Sequence, residues 1–358
     1  MPASRSPVRS THTLSEILSQ PEVWRSCLRD LSGSAAFQSI LGKAASRKEW
    51  LFVGCGTSFY LAEAAAGSWT LLTGQAARAL PASELLLFPR LAQLKAKDLQ
   101  VVVISRSGRT SEAVRVAELL SQKYNLPTLG VTCASDSELS KACELTLTLS
   151  AADEKSMVMT RSFTSILLAL LHLAASSGDA ATFASSFETM AAALASRIAA
   201  FNDRVESFVS KHSFADYIYL GQGPLFSIAR EAALKITEMS CSFAQAYHTL
   251  EFRHGPKSIV APQTCLTFFL SESGADAETD VLVEMKELGG TIVAVCNRAT
   301  EAVRRSSDLV IELEASVPEL VLLAPFVVPA QLLGFHTGIK KGFNPDEPKN
   351  LSRVVILD

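Results

Sequence analysis

An internal duplication constrains the fold of this chain more than any other feature. Glu49-Trp50-Leu51-Phe52-Val53 runs into Gly54-Cys55-Gly56-Thr57-Ser58. From Gly54 it is 167 residues to Gly221, where Tyr217-Ile218-Tyr219-Leu220 runs into Gly221-Gln222-Gly223-Pro224. The offset then stays almost constant. Val101-Val102-Val103-Ile104 with Ser105-Arg106-Ser107-Gly108 matches Thr267-Phe268-Phe269-Leu270 with Ser271-Glu272-Ser273-Gly274. Leu129-Gly130-Val131-Thr132 matches Val293-Ala294-Val295-Cys296, and Glu144–Leu149 matches Asp308–Leu313. In each half, short β-branched runs alternate with helical stretches, the pattern of βαβ units on a parallel sheet. An α/β protein with two tandem copies is therefore expected.

The expected organisation is a tail and helix over 1–34, a first domain over 35–180, and a connecting helix over 181–212. A second domain over 213–340 and a proline-punctuated extended strap over 341–358 follow. Within these bounds, Leu14 to Leu31 reads as one amphipathic helix and 184–212 as one long Ala-rich helix. With 48% hydrophobic residues the chain can fill two cores. A net charge of −3 without a basic stripe argues against nucleic acid as partner. The longest apolar run, around Leu320 to Ala330, contains Pro325 and Pro329, so no membrane span is expected. Residues 1–12 are rich in Ser, Arg and Pro and lack an apolar signal core; they read as a tail. The seven cysteines show no CxxC and no metal spacing, which suits a reducing, cytosolic compartment and no bound metal.

The copies differ where open α/β sheets bind ligands, in the turns after the strands. Copy one offers Ser105-Arg106-Ser107-Gly108-Arg109-Thr110 before a helix. Its hydroxyls, glycine and free N–H groups suit a phosphate. Such a turn can also simply cap the helix. The matching turn of copy two, Ser271-Glu272-Ser273-Gly274-Ala275-Asp276, carries carboxylates that would repel a dianion. Thr57 and Ser58 offer further hydroxyls beside the first turn. A dinucleotide fits poorly. Phe59 and Phe226 stand where a GxGxxG turn needs its third glycine, and no acidic residue follows to hold a ribose.

The helix after the glycine turn diverges in the opposite sense. Glu231, Lys235 and Glu238 share one face of it in copy two, where copy one has Ala64, Ser68 and Leu71. A Glu/Lys row is commonly a solvated face. Here Ala229, Ala232, Ala233, Leu234, Ile236 and Met239 surround it, so a carboxylate could be poised as a base. His254, in Leu250-Glu251-Phe252-Arg253-His254-Gly255-Pro256-Lys257, is a loop histidine that could be structural or could move protons near neutral pH.

These residues, together with Glu154 and Thr160-Arg161-Ser162-Phe163-Thr164, make the chain resemble the sugar isomerase (SIS) family. The resemblance runs from about residue 35 to the end. It extends to the isomerase half of glutamine–fructose-6-phosphate aminotransferases and to the tagatose-6-phosphate isomerase and amino-sugar-phosphate deaminase group. The fold it implies is two tandem SIS domains, each a three-layer αβα, flavodoxin-like sandwich with a parallel sheet and helices on both faces. Ser105, Arg106, Ser107 and Thr110 would hold the phosphate of a hexose 6-phosphate or amino-sugar 6-phosphate, with Thr57, Ser58 and Glu154 in the same pocket. Glu238 would move a proton between C1 and C2, supported by Lys235 and Glu231. His254 would help open the sugar ring from a neighbouring subunit, which implies a homodimer with a shared active site. No cofactor is implied.

Two departures narrow the expectation. Position 2 is Pro, so an N-terminal glutaminase with a cysteine nucleophile is not expected. At the strap position where the aminotransferase presents an imine-forming lysine, the chain has Arg353. A guanidinium stays protonated and cannot form an imine, although it can contact substrate. The expected enzyme is thus a phosphosugar isomerase or deaminase. Simple aldose–ketose isomerisation, a glutaminase-less aminotransferase relative, and a sugar-phosphate-binding regulator are the alternatives. A regulator would need neither Glu238 nor His254.

Overall fold

The computed structural model describes residues 12–94, 98–178 and 181–357. Except for His12, the tail expected over 1–12 lies outside them, as does Pro2. The chain order opens with α1 (Thr13–Leu18), α2 (Gln20–Ser32), α3 (Ala35–Ala44), β1 (Glu49–Gly54), α4 (Thr57–Thr73), β2 (Ala76–Pro81) and α5 (Ala82–Leu87). It continues with β3 (Leu99–Ile104), α6 (Ser111–Glu118), β4 (Thr128–Thr132), α7 (Glu138–Ala142), β5 (Leu145–Thr148), α8 (Arg161–Ser177) and α9 (Ala181–Ala195). The second copy brings α10 (Ile198–Lys211), β6 (Asp216–Gly221), α11 (Pro224–Ser240), β7 (Phe243–His248), β8 (Thr264–Phe269) and α12 (Ala275–Glu287). Last come β9 (Thr291–Cys296), α13 (Glu301–Ser306), β10 (Leu309–Glu312) and α14 (Leu323–Lys340).

The chain divides into two compact units. The first-copy unit holds the described residues of Gln20–Asp153, Arg161–Ala191 and Val354–Asp358. The second-copy unit holds those of Met1–Ser19, Glu154–Thr160 and Ala192–Arg353. Each contains one wholly parallel five-stranded sheet, ordered β2-β1-β3-β4-β5 in the first and β7-β6-β8-β9-β10 in the second. The two orders are the same order. Both follow the flavodoxin-like 2-1-3-4-5 pattern, whose switch point lies between the first and third strands. The α/β expectation therefore holds, but the ladders match Val101 with Leu266, one residue from the Thr267 that the sequence alignment gave it.

Alternation along the strands builds each core. In the first-copy unit Leu51, Val53, Val101 and Val103 pack with Ala113, Val116 and Ala117 of α6. In the second, Ile218, Leu220, Leu266 and Phe268 pack with Val281, Leu282 and Met285 of α12. The opposite strand faces carry rings such as Trp50 and Phe52, with the Trp50 and Trp69 centroids 3.8 Å apart. Both first turns need a glycine at the strand end. A Cβ on Gly54 would lie 2.3 Å from the Ser58 carbonyl oxygen, and one on Gly221 2.3 Å from that of Leu225.

Two local expectations change. The helix read over Leu14 to Leu31 is two, α1 and α2, separated at Ser19. Pro21 has no N–H to donate and falls in the first turn of the new helix, where none is required. The stretch 184–212 is likewise split, between α9 and α10, with Ser196 Oγ donating to the Ala193 carbonyl at the break. Conversely, the proline-bearing apolar run does form a helix: α14 continues through Pro329. With the turn before it, Glu319–Lys340 is long and apolar enough to cross a membrane, yet 94% of its most apolar window is buried inside the protein. Tertiary burial here overrides the local cost of an internal proline.

Candidate active site

In the first-copy unit the predicted phosphate residues gather at the carboxyl ends of adjacent strands, β1 and β3. Thr57 and Ser58 open α4 and are buried. Ser105 and Arg106 follow β3 directly and are also buried. Backbone bonds fix the turn. Ser105 N–H donates to the Val131 carbonyl (3.0 Å), Gly108 N–H to that of Ser105 (3.1 Å), and Leu139 N–H to that of Gly108 (2.9 Å). The Arg106 carbonyl accepts from Cys133 N–H (2.9 Å) and from Thr132 Oγ1 (3.0 Å). Gly108 has φ +63°, and a Cβ there would lie 2.2 Å from Ser137 Oγ, so no other residue fits. Ser105 Oγ and Thr110 Oγ1 are 3.3 Å apart, while Arg109 turns away to pair with Glu138 at 3.4 Å. Among the described residues no carboxylate bonds the Ser107 N–H. The turn is a rigid set of donors that can receive an anion.

Cys55, inside the first glycine turn, is no rival nucleophile. Burial, with a smaller contribution from Glu112, pushes its thiol up to about 12. A feature with weak sequence signal lies nearby. The Val355 carbonyl accepts from Ser111 N–H (3.2 Å), and Leu357 N–H donates to Ser111 Oγ (2.9 Å). The C-terminal residues therefore run along the first turn of α6, just after the candidate phosphate turn. The β-branched Val354-Val355-Ile356 was a hint of extended chain, but nothing in it named the partner.

The second-copy unit uses the equivalent turn differently. Its donors are filled by the protein's own acids. Glu319 accepts from the N–H groups of Glu272 (2.7 Å) and Ser273 (3.4 Å) and from Ser273 Oγ. Glu278 accepts from Ser271 N–H (2.7 Å) and Ser271 Oγ (2.9 Å). Burial raises the Glu278 pKa against the lowering effect of those Ser271 bonds, and Glu319 adds to the rise. The sequence had pointed to Glu272 and Asp276 as repelling a phosphate. The Glu272 carboxylate instead accepts from Asn297 Nδ2 (2.7 Å), and Glu319 and Glu278 occupy the donors. Glu278 was recoverable: it shares the face of Val281, Leu282 and Met285, an acid where α12 should be apolar. Glu319 lies 46 residues beyond Ser273 and gave no local signal.

The Glu231–Lys235–Glu238 row is not a solvated face. Glu231 and Lys235 side chains are 0% exposed and Glu238 17%. Lys235 Nζ is 3.3 Å from Glu231 Oε1 and bonds Glu238 Oε2. Burial alone would lower the Lys235 pKa, but attraction to Glu231 and Glu238 outweighs it, and the pKa is raised. Packing of α14 on α11 keeps the row dry: a Cβ on Gly334 would sit 3.2 Å from the Lys235 carbonyl oxygen. Lys235 is thus an ammonium clamped between two carboxylates, of which only Glu238 reaches solvent.

The remaining predicted residues belong to the same unit. His254 is exposed, on a loop of two short 3-10 turns, Glu251–Arg253 and Pro256–Ile259. Glu154 is buried and its Oε1 accepts from Thr160 N–H (2.6 Å) and Thr160 Oγ1 (2.8 Å). Arg353 donates from its guanidinium to the Glu154 carbonyl. So Arg353 and Glu154 meet through the backbone of one and the side chain of the other.

Duplicated flavodoxin-like sheets, a donor-rich turn in one copy and a buried acid–lysine–acid row in the other define a class. The chain belongs to the SIS-domain family, whose profile matches residues 44–176 and 216–337. A Streptomyces coelicolor protein provisionally named D-galactosamine-6-phosphate deaminase is 28% identical over 95% of this chain and 91% of its own length. The glutamine–fructose-6-phosphate aminotransferase of Xylella fastidiosa is 29% identical over 96% of this chain, which spans only 58% of that protein. The crystal structure of glucosamine-6-phosphate deaminase from Thermotoga maritima superposes with a TM-score of 0.76 at 28% identity, covering 97% of this chain and all of that one.

Proposed function

We propose that this protein is a phosphosugar isomerase/deaminase that converts a 2-amino-2-deoxyhexose 6-phosphate and water to the ketohexose 6-phosphate and ammonia. The buried row on α11 carries the reading. Three charges in an apolar setting, absent from the matching helix of copy one, are costly unless used. Family membership and the names of the relatives support the substrate class.

In the proposed reaction, Ser105, Ser107 and Thr110, with Arg106 alongside, hold the phosphate, and Thr57, Ser58 and Glu154 line the sugar. His254 passes a proton to the ring oxygen as the ring opens. Glu238 then removes the C2 proton, the electron pair forms the C1–C2 double bond, and the C1 oxygen takes up a proton to give the enolamine. Protonation at C2, with loss of the hydroxyl proton, would return the aldehyde. Protonation at C1 with loss of an amine proton instead gives the C2 imine, which water converts to ketone and ammonia. Lys235 keeps Glu238 oriented, and Glu231 in turn holds Lys235 in place. Arg353, unable to form an imine, serves the strap as a donor. A cytosolic homodimer completes the proposal. Among the described residues no cysteine forms a disulfide, which accords with a reducing compartment.

The test offers glucosamine 6-phosphate, galactosamine 6-phosphate and fructose 6-phosphate in D₂O. Ammonia release is followed together with deuterium entry at C1 and C2 by NMR. Ammonia equal to ketose formed, with both signals lost in Glu238→Gln, is the expected result. Exchange without ammonia would replace deamination by isomerisation. No exchange with any of the three would remove the proton-transfer role of Glu238.

A further inference from the structure

The loop that carries His254 is clamped from outside by one carboxylate. Glu284, on α12, accepts from Arg253 Nε through Oε2 (2.7 Å) and from Lys257 Nζ through Oε1 (2.7 Å). The two cations lie immediately before His254 and three residues after it. A third anchor, Phe252, is fully buried in the core beside Val281, Leu282 and Met285 of α12. Backbone bonds stiffen the loop between these points. His254 N–H donates to the Glu251 carbonyl and Ser258 N–H to that of Gly255, both at 3.0 Å. The His254–Gly255 tip is exposed, with Gly255 at φ +130°.

Half-exposed ion pairs of this kind add little to global stability, with a median contribution of about 0–1 kcal/mol. Here both oxygens of one carboxylate are used, on cations either side of a single residue, so the gain is in geometry. We propose that Glu284 is the positioning residue of the His254 loop, holding the exposed imidazole where it can serve ring opening. The proposal rests on the reading of His254 given above. Donation from Lys257 and then Arg253 lowers the Glu284 pKa, in keeping with a carboxylate held ionised in the clamp. A loop tied to α12 at three points loses less freedom when it meets a sugar than an untethered one.

The experiment compares a ring-forming substrate with one that cannot close. Fructose 6-phosphate cyclises; 5-deoxyfructose 6-phosphate lacks the hydroxyl needed and stays open. Wild type, Glu284→Gln, Glu284→Asp and His254→Asn are assayed for solvent deuterium exchange on both, with melting curves as a check on folding. Glu284→Gln is expected to lower kcat on fructose 6-phosphate about tenfold, the size of a lost positioning contact of roughly 1.4 kcal/mol. KM and the open-chain rate should stay within twofold of wild type, and Glu284→Asp should recover part of the loss. Equal losses on both substrates would mean that Glu284 merely supports the fold, which overturns the inference. An unaffected Glu284→Gln beside an impaired His254→Asn would also overturn it while leaving the His254 reading intact. If His254→Asn itself handles both substrates as wild type does, the His254 reading and the inference fall together.

Discussion

Replacing Lys235 by Met is the sharpest test of how the second copy is built. Met nearly conserves volume, so packing should cost less than about 1.5 kcal/mol. The electrostatic loss is larger. Glu231 is 0% exposed and only 3.3 Å from Lys235 Nζ, so it would remain as a buried carboxylate without its cation. Removing one partner of such a pair costs about 3–5 kcal/mol. For a unit of this size each kcal/mol moves the melting point by about 2–4 °C, so calorimetry at pH 7.5 should show a fall of roughly 6–20 °C. The loss should shrink on acidification. Without the ammonium, the buried Glu231 carboxylate has lost its counter-charge, so the penalty is full while it is ionised at neutral pH. It fades as pH falls toward the unfolded carboxyl value of about 4.3. In wild type the raised Lys235 pKa contributes stability that is complete below about 10.4 and lost only as pH rises through the higher folded value. Glu231→Met combined with Lys235→Met removes both buried charges and should restore most of the stability. A single variant melting within a degree of wild type, or a double variant no better than the single, would refute the picture of a dry charged row.

Two further outcomes separate the copies. Gly108→Ala puts a side chain at φ +63° against Ser137, costing about 1–2 kcal/mol for the backbone alone, and should weaken fructose 6-phosphate binding more than tenfold by calorimetric titration. Gly274→Ala, at φ −112° with only the side-chain ends of Ser271 and Glu278 near its Cβ, should change binding less than threefold; equal effects would remove the asymmetry. Glu319→Ala should expose the N–H groups of Glu272 and Ser273 to faster hydrogen exchange, while exchange around Ser105 stays unchanged. Unaltered exchange at Glu272 and Ser273 would show that Glu319 does not hold that turn.

Much of the fold was legible because a repeat reports each strand twice. The strands β1, β3, β4 and β5 and the placing of Thr57, Ser58 and the Ser105–Thr110 turn at strand ends follow from β-branched runs and glycine turns, which are local signals. The flavodoxin-like sheet, by contrast, came with the family resemblance, and β2 and β7 gave no such signal. Helix boundaries were harder. Whether Pro329 breaks a helix or Ser19 divides one depends on what the surroundings bury, and periodicity does not contain that information. The candidate site divides in the same way. The burial of Lys235 was foreshadowed by alanines around it, whereas the link from Glu319 to Ser273 joins positions far apart in the chain and leaves no periodic trace.

That link also alters the meaning of the divergence between the copies. Sequence comparison suggested that copy two lost phosphate binding by acquiring repelling acids on the turn itself. In the folded unit the turn keeps its donors and a distant glutamate satisfies them. Glu272 and Ser273 are exposed, so water could serve those donors, yet the protein supplies a carboxylate of its own. Glu319 stands at the start of the turn leading into α14, the helix packed on the charged row. The carboxylate that occupies the second turn thereby also fixes one end of the helix that keeps Lys235 dry. With Glu319 on its donors, the second turn is tied to the entry of the helix that covers the charged row.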